Sequence, residues 1–132
     1  MTYDTDIDYS LRVAVDGGPT LLKTGTVEVG AVDVIKGTAA KSGGTASLDV
    51  QPEAITGIEF VCIESTNYED LLLSVDGDET ALVVDGPIML IGAGAVAMLQ
   101  ATQLHFVFTN RDSVAAADIR ITIGRSGVYT QA

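Results

Sequence analysis

One cysteine, one histidine and no tryptophan occur among the 132 residues, and 7 Lys and Arg stand against 18 Asp and Glu. Each scarcity closes a class of function. A lone Cys62 builds no disulfide scaffold. One His with one Cys makes neither a zinc site nor a Ser-His-Asp or Cys-His constellation. A formal net charge of −11 repels phosphate backbones and anionic headgroups, so neither nucleic acid nor membrane is expected as a partner. The most apolar stretch, 88–99, is too short to cross ~30 Å of hydrocarbon as a helix. The opening residues, Met1 to Asp8, are acidic without an apolar core, so no secretory signal is expected and synthesis in the cytoplasm is.

What the chain does have is apolar content, 47%, enough for one folded domain rather than a disordered segment. Its period is two. Leu11, Val13 and Val15 alternate with Arg12, Ala14 and Asp16, predicting a strand with one face in a core. Thr24 to Val29 repeats the pattern. Gly57 to Glu64 turns apolar on both faces, as a central strand would. Leu71–Val75, Ala81–Val84 and Ile88–Ile91 are short apolar runs, and Leu104–Thr109 and Ile119–Ile123 are rich in β-branched and aromatic residues. Asp16-Gly17, Asp76-Gly77 and Asp85-Gly86 each follow a Val and read as turns. Gly37 to Thr45 reads as a flexible loop. The one helical candidate, Ala93 to Gln103, carries Gly94, which costs about 1 kcal/mol relative to Ala.

These signals predict an all-β fold: a single antiparallel β-sandwich or jelly roll of about eight short strands, with little or no helix. Residues 11–125 form the sandwich, between an N-terminal arm (1–10) and a C-terminal tail (126–132). Spacing alone leaves a jelly roll and an immunoglobulin-like order both open.

The chemical motifs are weak. Gly92-Ala93-Gly94-Ala95-Val96-Ala97 matches a dinucleotide fingerprint, G-x-G-x-x-A. Six residues between Ala97 and the strand at Leu104 are too few for a βαβ crossover, so the glycines are expected to let strands or subunits pack closely instead. Asp4-x-Asp6-x-Asp8 lacks the glycine of a calcium loop, and Asp76, Asp78 and Glu79 are too few for a complete oxygen shell. Solvated acidic turns are expected there, and no metal or cofactor is assigned. Glu59 and Glu64 fall on opposite faces of one strand, and Cys62 reads as a small buried hydrophobe. His105, between Leu104 and Phe106, belongs on an outer face or in a subunit contact. Candidate assembly contacts are Tyr3, Tyr9 and Tyr129 near the two ends, Met89 and Met98 in the apolar stretch, and His105. Tyrosine buries area at little entropic cost, and either end could add a strand to a neighbouring sheet.

The runs Gly57–Ile63, Asp85–Gly94 and Leu104–Asn110 give the chain a texture that resembles small structural proteins of tailed-phage virions: Gly/Ala/Thr/Val-rich β-domains with acidic surfaces and few aromatics. That resemblance implies a non-enzymatic protein of the virion, made in the host cytoplasm, that decorates or cements a capsid lattice. It also implies self-association as a trimer or larger ring and contact with a major capsid or other virion protein. Alternatives are a head–tail, tail or fibre component, or a carbohydrate- or receptor-binding β-sandwich module. The lack of Trp weighs against the last of these.

Overall fold

Alternation becomes ten strands in the computed structural model, which describes residues 5–54, 57–76, 81–99 and 103–125. The described strands are β1 (Thr5–Ala14), β2 (Thr20–Val29), β3 (Ala31–Ala39), β4 (Gly44–Ala54), β5 (Ile58–Ser65), β6 (Leu71–Val75), β7 (Leu82–Val83), β8 (Ile88–Ile91), β9 (Gln103–Asn110) and β10 (Ala117–Arg125). One helical turn, α1 (Ala93–Val96), continues into a 3-10 turn at Ala97–Leu99. The fold is an all-β sandwich of antiparallel sheets.

Eight strands form two four-stranded sheets, β3-β10-β5-β8 and β4-β9-β6-β7. The order has a simple origin. Strands β3, β4, β5 and β6 pair antiparallel with β10, β9, β8 and β7, as one long ribbon doubled back between β6 and β7. The ribbon then rolls, so that β10 also pairs with β5 and β9 with β6. That is the jelly-roll order, and it decides between the two topologies that spacing leaves open.

The roll closes because its longer strands turn an apolar face inward; Leu82 and Val83 of two-residue β7 are both exposed. Val61, Ile63, Ile119, Ile121 and Ile123 of one sheet bury against Leu48, Val50, Leu71, Leu73, Leu104, Phe106 and Phe108 of the other. Strand β5 is buried on both sides from Ile58 to Ile63 apart from half-buried Glu59, as its doubly apolar sequence predicts. Phe106 and Phe108 lie in tilted contact, centroids 6.4 Å apart. Such side chains stabilise by roughly 1.5–3 kcal/mol each on burial. Val96 of α1 is also buried in this core, so the one helical turn is a plug at the end of the roll.

Three expectations are corrected. Gly37–Thr45 is not a flexible loop: Gly37–Ala39 end β3, Gly44–Thr45 begin β4, and the Gly44 amide bonds the Ala40 carbonyl at 3.0 Å across a tight connection. Ser42 and Gly43 take φ of 63° and 93° there. Gly92 and Gly94 do not let strands pack closely within the chain, since a Cβ at either would meet nothing within 4 Å. Gly92 instead supplies the φ of 96° that turns the chain from β8 into α1. Finally, Leu11, Val13 and Val15 are exposed, not part of the core. Strand β1 pairs only with β2, and beyond its base this hairpin stands clear of the roll.

Candidate interaction surface

The β1–β2 hairpin is amphipathic across its width. Its register places Ile7 opposite Val27, Tyr9 opposite Gly25, Leu11 opposite Lys23 and Val13 opposite Leu21 on one face. The other face pairs Asp6 with Glu28, Asp8 with Thr26, Ser10 with Thr24 and Arg12 with Leu22. Alternation of period two, carried by both strands in register, produces this division.

The base of the hairpin is anchored. Val29 is buried, and Ile7 and Val27 are half-buried. A Cβ built on Gly124 would lie 2.9 Å from Ile7 Cδ1 and 3.0 Å from both Phe60 Cβ and Val29 Cγ1. The absent side chain of Gly124 is therefore what lets the hairpin base seat on the outer face of the first sheet. Beyond the base, every residue from 10 to 24 is exposed. The paired strands there extend about 17 Å at ~3.3 Å per residue. Leu22 is 66% exposed, Leu21 61%, and Val13 and Val15 52% each.

The tip is a tight turn. The Gly18 amide bonds the Val15 carbonyl at 2.9 Å, and Gly17 takes a φ of 73°, as the Asp-Gly pair predicts. The Val-Asp-Gly repeat has no common geometry, however. At the second copy Asp76 itself has φ of 55°, and at the third neither Asp85 nor Gly86 is in the left-handed region.

The expected contact residues scatter. Tyr9 lies on the hairpin with its ring across Gly25, so close that no Cβ would fit there. Its aromatic area is partly spent within its own arm. Met89 is exposed on edge strand β8 and Met98 on the 3-10 turn. His105 stands on the outer face of the second sheet, where its Nδ1 meets Asp49 Oδ1 on β4. Tyr3 and Tyr129 lie outside the described residues, as do Asp78 and Glu79. Leu21, Leu22, Arg12 and Lys23 escape a sequence reading that assigns strands to a core. The signal that finds them is the pairing of two alternating segments across Asp16-Gly17.

At the other end of the roll the loops are tied by polar bonds. The Asn67 amide donates to Asp112 Oδ2 at 2.8 Å and to the Ala115 carbonyl at 3.1 Å. Buried Asn110 donates to the carbonyls of Ala39 and Ala115. The Asn67 bond, with backbone amides of 113–115 assisting, holds the Asp112 carboxyl below its usual pKa. Cys62 is a buried free thiol, pushed up in pKa by burial and then by Glu64, which keeps it protonated and inert. Among the described residues no group of three His, Cys, Asp or Glu converges on a metal position.

Comparison with protein-family models, with curated proteins and with solved structures finds no match.

Proposed function

We propose that this chain is a non-enzymatic structural protein of a virion, decorating or cementing a capsid lattice through its arm. The observation that carries the reading is the hairpin. Residues 10–24 hold an ordered, apolar-faced ribbon outside the core that the rest of the chain builds. An isolated two-stranded hairpin is marginal in water, and exposed apolar faces on a small domain mark contact sites. A covering subunit would stabilise it. The acidic exterior, at a net −11, suits a particle surface that must stay dispersed. The resemblance in texture to small tailed-phage structural proteins points the same way.

The test is co-sedimentation of the full chain with particles assembled from the major capsid protein of the same genome. Retention on the particles is expected. Replacing residues 10–24 with an Asn-Gly turn should abolish retention while leaving the far-ultraviolet circular dichroism of the roll in place. A chain that stays monomeric by light scattering and remains in the supernatant overturns the reading.

A further inference from the structure

The hairpin tip differs in charge from the rest of the chain. Residues 11–23 carry Arg12 and Lys23 against Asp16 alone, whereas the whole chain has 18 acidic to 7 basic residues. Lys23 lies on the apolar face, directly opposite Leu11, and Arg12 lies on the reverse face, directly opposite Leu22. No ion pair among the described residues uses either of them; those seen join His105 to Asp49, Arg120 to Glu64 and Arg125 to Asp33. The arm thus presents an apolar face that carries one cation, with a second cation on its reverse.

A surface of opposite character lies on the roll. A groove between the β5–β6 connection and β7 is lined by Tyr68, Leu72 and Val83 together with Glu69, Asp70 and Asp85. Val83 is 68% exposed and Leu82 beside it 45%. Among the described residues no lysine or arginine lines this groove. Arg111, whose amide bonds the Asp70 carbonyl, is not part of its wall.

Register fixes where arm and groove lie. The hairpin leaves beside the Ala31–Arg125 pair, while Ala39 and Ala117 pair at the opposite end of the same two strands. The groove is at that opposite end, where Leu71 pairs with Asn110 and the Val84 amide bonds the Leu71 carbonyl. The nine residues of β3 separate the two ends by roughly 26 Å at ~3.3 Å per step. An arm exposed from residue 10 outward therefore cannot enter its own groove.

We propose that the arm of one copy docks in this groove of a second copy, with Leu11, Val13 and Leu21 of its apolar face against Tyr68, Leu72 and Val83. Lys23, on that same face, then meets the carboxylates of Glu69, Asp70 and Asp85, and Arg12 adds its charge from the reverse of the ribbon. The contact joins different surfaces on the two copies, so it repeats head to tail and closes into a ring or extends as a filament. This deepens the assembly reading and rests on it. It names the first partner of the arm as another copy of the chain.

Charge reversal tests the pairing, read as self-association of the full chain by size-exclusion chromatography with light scattering. The wild-type chain should associate, and less so as salt rises. Arg12→Glu with Lys23→Glu gives an acidic arm facing an acidic groove. Glu69→Lys with Asp85→Lys gives a basic arm facing a basic groove. Each double variant alone should self-associate about tenfold or more weakly. Mixed in equal amounts, the two should associate again, because each then offers what the other lost. All four positions are exposed, and an unchanged circular dichroism spectrum and thermal midpoint will show that folding is intact. The pairing is overturned if the groove variant associates like the wild type, if the mixture stays monomeric, or if the wild type is a monomer. A monomeric wild type that still sediments with capsid particles overturns the docking alone. One that neither associates nor sediments overturns the assembly reading as well.

Discussion

Asp112 shows how one side chain organises an end of the molecule. Its carboxylate accepts from the Asn67 amide and from the backbone amides of Val114 and Ala115, holding its pKa down. A carboxylate whose pKa is lowered by folding stabilises the fold fully above its ordinary value, about 4. That contribution is lost as pH falls through the lowered folded value. Asp112→Asn should therefore melt below the wild type at pH 7, and the difference should shrink toward pH 3, read by calorimetry across that range. A difference independent of pH would mean that the charge contributes nothing. Gly124 and Gly25 act by omission at the same scale. Each leaves a gap that a neighbouring side chain fills, Ile7 and Val29 in one case and Tyr9 in the other. Neither glycine could be assigned a purpose from the sequence, because the atoms that occupy those gaps come from 16 to 117 positions away.

Among the elements, the hairpin and the roll obey one pattern rule and differ in outcome. Both alternate apolar and polar residues, but only the roll folds its apolar face against another sheet. A ribbon with both faces exposed over 10–24 opens locally at little free-energy cost, whereas core strands open only with global unfolding. Hydrogen exchange should then proceed fast at the amides of residues 10–24 and slowly at β5, β9 and β10. In an assembled sample the arm amides should become protected. Equal protection of arm and core strands in a monomeric sample would contradict this division. The short elements were the least legible. The helical candidate becomes one α-turn, Ala93–Val96, and a 3-10 turn, Ala97–Leu99, from which Val96 is buried in the core and Leu99 packs against it.

For the whole molecule, the rolled ribbon sets the folding problem. Apart from the β6–β7 pair and the hairpin, each strand pairing joins segments far apart in sequence: β3 with β10, β4 with β9, β5 with β8. Loop-closure entropy must be met before those contacts form, so refolding from urea should take milliseconds to seconds rather than microseconds. Stopped-flow fluorescence of the tyrosines measures it. A microsecond phase carrying the full amplitude would show that the roll is not the rate-limiting structure.

The sequence by itself determined the class. Period-two alternation and punctuating glycines specify an all-β sandwich, doubly apolar β5 specifies its own central place, and 18 acids against 7 bases specify the solvated exterior. Those are local properties, legible wherever side-chain period and composition act alone. Tertiary structure decided the rest. It chose the jelly-roll order, because strand pairing depends on which distant edges meet. It also separated Leu11, Val13 and Leu21 from the core they resemble, because an alternating strand declares an apolar face without saying what will cover it.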